Sequence, residues 1–345
     1  MHFDFCIGNP PYQVSDGGGT GDSAKPVYDK FIEEGQKVCK HSLIMIMPSR
    51  WMKGGKGLDN FRENMMNNLS VKSIVDYERA DLCFHGVHID GGICYLMIDK
   101  QYKGPCYFKH VCSDGYIDET KRYLKNDIIP TIIRDSRQIT IIEKALKGER
   151  FSSIVSAQKP YGLRADFFNH PERYESIETS DVETEKFNTK VYGVKGIKGG
   201  AKRVECYIQR IDELKKTIGF INYKLYFSKA YMAISTVPPA IIEGYPFEVC
   251  TESFLQIGHF CSEEEMKNAK TYIKTKFFRA LLFFNRHSLN ISRESFFLIP
   301  LQDFTDNSDI DWSKSVHEID LQLYKKYGLS DEEVKFIEEK IKPMK

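Results

Sequence analysis

Nowhere in these 345 residues does an apolar run approach the about 18 that would cross a bilayer, and the first residues show no basic-then-apolar leader. A chain without membrane span or secretory signal is the expectation. The nine cysteines are odd in number and contain no CxxC pair, which argues against a disulfide framework and for reduced thiols in a cytoplasm. Cys106 and Cys112 stand apart from other ligand pairs, so no metal site is expected. No serine sits in a nucleophile elbow, and no repeat of fixed period is visible. A net charge of +1 excludes little, because nucleic-acid enzymes need a local basic face and not a global one. What is present is a composition with 41% hydrophobic and 13% aromatic residues, ample for buried cores and long enough for two domains.

Over the first hundred residues apolar runs alternate with amphipathic stretches, the pattern of a parallel sheet with covering helices. Strands are expected at 3–7, 42–47, 71–76 and 92–98, with a further strand or hairpin arm at 105–111. Val27, Phe31, Ile32 and Val38, then Leu58, Phe61, Met65 and Leu69, recur at helical spacing and predict two helices packed on the sheet. After about residue 130 the elements shorten, with an acidic stretch at 172–185 followed by a basic, glycine-bearing one at 190–216. That shift predicts domains at 1–130 and 131–345. Ser330 and Glu333 make a capping box for a last helix with Val334, Ile337 and Ile341 as its apolar stripe.

Asn9-Pro10-Pro11-Tyr12, at the end of the first strand, is the most specific segment. Each proline removes a backbone N–H and holds the preceding residue extended, so the turn is stiff and offers carbonyl oxygens without donors. Such a lip suits an amine with two hydrogens to give, and the adjoining ring can stack on a base. The plainer reading is a tight strand-to-loop turn with a core tyrosine. Thr236-Val237-Pro238-Pro239 has paired prolines without the amide or the aromatic, and reads as an ordinary turn.

On Asn9-Pro10-Pro11-Tyr12 the chain resembles the adenine-specific DNA methyltransferases of the amino-methylating class, most closely the methylase and recognition half of large type II restriction-modification enzymes. Pro48-Ser49-Arg50-Trp51 after the second strand, and Phe84-His85-Gly86-Val87 ahead of Gly91-Gly92, are similar to later segments of that family. The resemblance implies a partial Rossmann-like methyltransferase sheet, its second half, followed by an α+β target-recognition domain. It assigns the catalytic roles to Asn9, Pro10, Pro11 and Tyr12, with Phe84 packing on the extruded base from the other side. A loop phenylalanine buried in the core is the competing reading of Phe84. Tyr272 to Arg279 and Pro300 to Phe304 look like segments of the recognition domain.

The family binds S-adenosylmethionine through a glycine-rich turn that lies upstream of NPPY, and here Met1 stands eight residues before Asn9. Gly193, Gly196 and Gly199 follow no apolar strand, so a permuted cofactor motif is not expected. Gly17-Gly18-Gly19-Thr20-Gly21 follows the NPPY turn and has no P-loop lysine; it reads as a mobile substrate-side loop. The expectation is therefore a truncated or split methyltransferase, whose strand 3–7 forms an exposed sheet edge open to an upstream methyltransferase half or partner subunit.

Residues 190–216 hold eight basic and three acidic residues. Lys195, Lys198, Lys202 and Arg203, with Arg164 and Tyr161 further upstream, are the expected contacts to double-stranded DNA; solvated surface lysine is the alternative. Three functions stay open: a DNA adenine methyltransferase, a catalytically inactive recognition module, and an endonuclease built on Glu119-Thr120-Lys121 or Glu213-Leu214-Lys215, for which no Pro-Asp partner precedes. His85 and His88 lack a third ligand type nearby and read as loop histidines.

Overall fold

The computed structural model describes residues 2–344 except 16–23, 56, 175, 197–199, 210–213, 215–216, 231–234 and 286–290. The chain divides into two compact units, Met1–Thr140 and Ile141–Lys345.

The first unit is built on β1 (Phe3–Gly8), a two-stranded ribbon of β2 (Gln13–Ser15) and β3 (Ala24–Pro26), then β4 (Cys39–Pro48), β5 (Val71–Tyr77), β6 (Ile93–Asp99), β7 (Cys106–Val111) and β8 (Ile117–Arg122). Six of these form one mixed sheet in the order β1-β4-β6-β5-β7-β8. β1 runs parallel to β4 and β5 parallel to β7, while β6 is antiparallel to both β4 and β5. The expectation of a parallel sheet is corrected at β6. Residues 78–92, between β5 and β6, contain one 3-10 turn at Ala80–Leu82 and no crossover helix, so the chain reverses where a parallel connection would have to cross the sheet. β1, β4, β5 and β7 still point one way, and their carboxyl ends share one edge.

Helices α1 (Tyr28–Val38) and α2 (Asp59–Asn67) bury Tyr28, Ile32, Phe61 and Met65 in one cluster with Leu43, Met47, Ile74, Leu96 and Phe108 of the sheet. Both helices therefore cover the same face. Phe31, Val38 and Leu69, expected on the packed stripes, are exposed instead. α1 starts at Tyr28, and the positions that face the sheet are Tyr28, Ile32 and Gly35, whose missing side chain leaves room for Leu43.

The second unit is α+β. β9 (Thr179–Ser180), β10 (Phe187–Lys195), β11 (Lys202–Gln209) and β14 (Val249–Cys250) make one sheet, and β12 (Tyr223–Ser228), β13 (Ile242–Gly244) and β15 (Phe254–Phe260) another. Helices Glu263–Lys274 and Lys276–Asn285 break at Thr275, and the second is capped by buried Asp320, which accepts from the backbone N–H groups of Lys276 and Phe277 at 2.9 Å each. The last helix, Asp331–Lys340, carries the capping box expected of Ser330 and Glu333, and Ile337 and Ile341 are fully buried.

Candidate active site at the carboxyl edge of the first sheet

The Asn9–Tyr12 turn leaves the end of β1 at the edge where the parallel strands finish, the usual place for ligands of open α/β sheets. Asn9 and Pro11 are exposed, Pro10 is buried, and Tyr12 is half-buried against the core under α1. The Tyr12 carbonyl accepts from Val27 N at 3.2 Å, which ties the turn to the start of α1. Burial pushes the Tyr12 hydroxyl up from its ordinary value, with Cys94 adding to the effect and the Asn9 side chain offsetting it by hydrogen bonding. The amide and the ring are thus neighbours.

Further along the same edge a polar cluster is closed on itself. Asp76, fully buried near the end of β5, accepts from Ser49 Oγ at 2.5 Å and from Arg134 Nε at 2.6 Å, and shares a 2.6 Å hydrogen bond with His110 Nδ1. Burial alone would raise its carboxyl, but the Arg134 guanidinium and His110 win and hold it down at about 2. Arg134 also donates to the carbonyls of Tyr77 and Gly91, at 2.9 Å each, and Ser49 N bonds the Gly92 carbonyl at 3.0 Å. One carboxylate so locks the ends of β4, β5 and β7 to the start of β6. Gly92 fits there because its φ is +79° and a Cβ would lie 2.0 Å from the Tyr77 carbonyl oxygen. Trp51, fully buried after β4, packs edge-on to Phe61 at 5.4 Å.

Phe84 lies in the 78–92 connection, which begins and ends at this same edge, and it is 37% exposed. It is neither a core residue nor fully free: its N–H bonds the Ala80 carbonyl at 2.8 Å. Sequence reasoning missed Asp76, His110 and Arg134. An acid two residues after Ile74, on the core-facing side of the strand Val71–Tyr77, was the available signal; Arg134 offered none.

In the second unit β10 and β11 form a hairpin whose tip is basic. Lys195 pairs directly with Lys202, Val194 with Arg203, and all three cationic side chains are exposed. Arg203 donates to the Ala240 carbonyl at 2.7 Å. Lys198 lies outside the described residues, as do Gly17 to Gly21, Gly199, Glu213 and Lys215. Arg164 is exposed on a turn whose Asn169 Oδ1 accepts from Gly196 N at 2.8 Å, against the hairpin. Tyr161 is corrected: it is buried and donates to Gln256 Oε1, so it faces no ligand. Gly193 admits the Phe168 ring, which a Cβ would meet at 2.2 Å, a packing role and no cofactor turn. Glu119 is engaged by Lys109 and Tyr107.

Among the described residues no group of three or more His, Cys, Asp or Glu side chains is arranged to hold a metal ion, and no helix is long and apolar enough to cross a membrane. A set for S-adenosylmethionine is not assembled either. No described strand runs through a glycine-rich turn into a helix, and Asp76, the acid at the edge, has both oxygens occupied by Ser49, His110 and Arg134.

Residues 1–84 match the family model of the Eco57I restriction-modification methylases, which coincides with the resemblance carried by Asn9–Tyr12. The chain is 30% identical over 162 residues to an uncharacterized adenine-specific methylase of Mycoplasma pneumoniae (strain ATCC 29342 / M129 / Subtype 1); the match covers 45% of this chain and 37% of that protein. This chain thus spans well under half the length of that relative. Among solved structures it is similar to the type IIL restriction-modification enzyme MmeI in complex with DNA, with a TM-score of 0.43, 10% identity and coverage of 98% of this chain and 56% of that one. The type IIG restriction endonuclease BpuSI gives 0.33, 12%, 93% and 48%.

Proposed function

We propose that this chain holds the target adenine and carries the DNA-recognition unit of a site-specific DNA adenine methyltransferase of a restriction-modification system, acting on double-stranded DNA in the cytoplasm. The observation that carries this reading is the Asn9–Tyr12 lip at the carboxyl edge, with the amide exposed and the ring half-buried beside it.

The adenine amine is a poor nucleophile because its lone pair is delocalised into the ring. Asn9 Oδ1 and the Pro10 carbonyl are acceptors that hold both amine hydrogens as the nitrogen turns tetrahedral, an arrangement worth most when it fits the transition state and not the planar ground state. Tyr12 stacks on the extruded base, offsetting unpairing by roughly 1–3 kcal/mol, and Phe84 closes the other side. The Asp76 hub keeps the edge rigid while the base enters. S-adenosylmethionine is the methyl donor that the methylase family implies. Among the described residues no strand pairs with the outer edge of β1, where Phe3, Phe5 and Ile7 are exposed by 49%, 66% and 78%, which supports strand pairing there with a further methyltransferase segment or a partner subunit.

In the organism that carries the gene, an Asn9→Ala allele is expected to remove a set of N6-methyladenine positions that share one sequence, read by single-molecule sequencing of genomic DNA. An unchanged methylation pattern overturns the assignment. For the second unit, Lys195, Lys202 and Arg203 are phosphate contacts: like charges placed opposite across a hairpin repel unless an anion lies between them. Replacing all three with alanine is expected to flatten the dependence of DNA affinity on salt by up to about three contacts' worth. The same slope would take the hairpin out of the interface.

A further inference from the structure

Two isoleucines stand out from the second unit on a turn that is unusually well fastened. Ile218 and Ile221 are 75% and 68% exposed, so each leaves most of its apolar surface in water. Beneath them the Lys224 ammonium, completely buried, donates to the carbonyls of Gly219, Phe220 and Asn222 at 2.9, 3.1 and 3.0 Å. Gln256 Nε2 holds the Ile218 carbonyl at 3.0 Å. Phe247 braces the turn from the side: its N–H donates to the Phe220 carbonyl at 2.8 Å, its ring meets Phe220 edge-on at 5.7 Å, and its φ is +70°, a strained value for an aromatic residue. Burying a lysine and straining a phenylalanine are costly, and the turn that they fasten carries two bare apolar side chains.

We propose that Ile218 and Ile221 form a rigid wedge that inserts into a base step of bound DNA. The proposal rests on the reading of this chain as a DNA enzyme and adds a contact to it. Apolar wedges of Ile, Leu or Phe between base pairs are a general device for unstacking and kinking a duplex, and a turn fastened by Lys224, Gln256 and Phe247 holds such side chains in place. The size fits: Ile218 and Ile221 with the tips of Tyr245 and Phe247 fall far short of the about 20–30 residues per side that a stable protein interface uses. All three Lys224 bonds go to neutral backbone carbonyls, which fasten the turn from beneath.

The test reads unwinding and needs no knowledge of the recognised sequence. A closed circular plasmid is relaxed by a type I topoisomerase with the 345-residue protein bound, then stripped of protein, and the change in linking number per bound molecule is measured. The wild type is expected to unwind the plasmid. Ile218→Ser with Ile221→Ser, which sits on the surface and should leave thermal unfolding unchanged, is expected to keep its affinity within about twofold, because phosphate contacts dominate binding, and to lose more than half of the unwinding. Equal unwinding by the double variant overturns the proposal. So does a double variant that still unwinds DNA but no longer self-associates, since the patch is then a protein interface. No duplex binding by the wild type would overturn the parent reading along with it.

Discussion

Asp76 takes two oxygens' worth of bonds from Ser49, His110 and Arg134, and its partners lie 27, 34 and 58 residues away in the chain. Replacing it with asparagine removes the charge and turns an acceptor into a donor facing the guanidinium. Breaking a buried pair in this way costs about 3–5 kcal/mol, which thermal or denaturant unfolding will show. The pH dependence has a definite sign. The carboxyl sits at about 2 in the folded chain against an ordinary 3.8, so its contribution is complete above about 3.8 and drains away as the pH falls toward 2. Asp76→Asn should therefore be less stable at neutral pH and change less between pH 4 and pH 2; an unaltered acid profile would show that the hub does not set it. The contrast with Asn9–Tyr12 explains what a sequence discloses. Four consecutive residues fix their own geometry through two prolines, so their chemistry is legible before any fold is known. A hub assembled from strands β4, β5 and β7 is legible only once the register is.

Among elements, the last helix was the clearest in advance, because a capping box is local chemistry: Ser330 Oγ accepts from Glu333 N at 3.3 Å, and Glu333 Oε2 accepts from Ser330 N at 2.7 Å. Ser330→Ala is expected to lower stability by about 1 kcal/mol, measured as a shift of the denaturant midpoint at constant slope. No shift would mean that the packing of Ile337 and Ile341 holds the helix without its cap. The phase of α1 was harder. Phe31 is as apolar as Ile32, and hydrophobicity alone does not say which of two adjacent residues turns inward; the close approach of Gly35 to Leu43 decides it. The direction of β6 was hidden for a related reason. An apolar run of six residues, Ile93 to Ile98, reads the same from either end, and only the missing crossover helix in 78–92 reveals the reversal.

At the scale of the whole molecule, the exposed edge expected of strand 3–7 is where the sheet ends, and its consequence is colloidal. Strands β1, β4, β5 and β7 run in one direction, and sheets built that way are normally covered on both faces. Here α1 and α2 lie on the same face, with Leu43 and Leu96, while Phe3, Phe5 and Ile7 of β1 remain exposed. Among the described residues no strand pairs with β1 on the side away from β4. An apolar strand with a free edge is a template for a further strand, and natural sheets commonly blunt such edges with lysine or proline. The purified chain is accordingly expected to self-associate with rising concentration, seen by light scattering or sedimentation. Phe5→Lys with Ile7→Lys should suppress this while leaving thermal unfolding nearly unchanged, since neither side chain is in the core. A wild-type chain that stays monomeric at concentrations where proteins of this size are usually studied would mean that the β1 edge does not pair, and the strand-pairing route to a cofactor-bearing polypeptide would lose its physical basis.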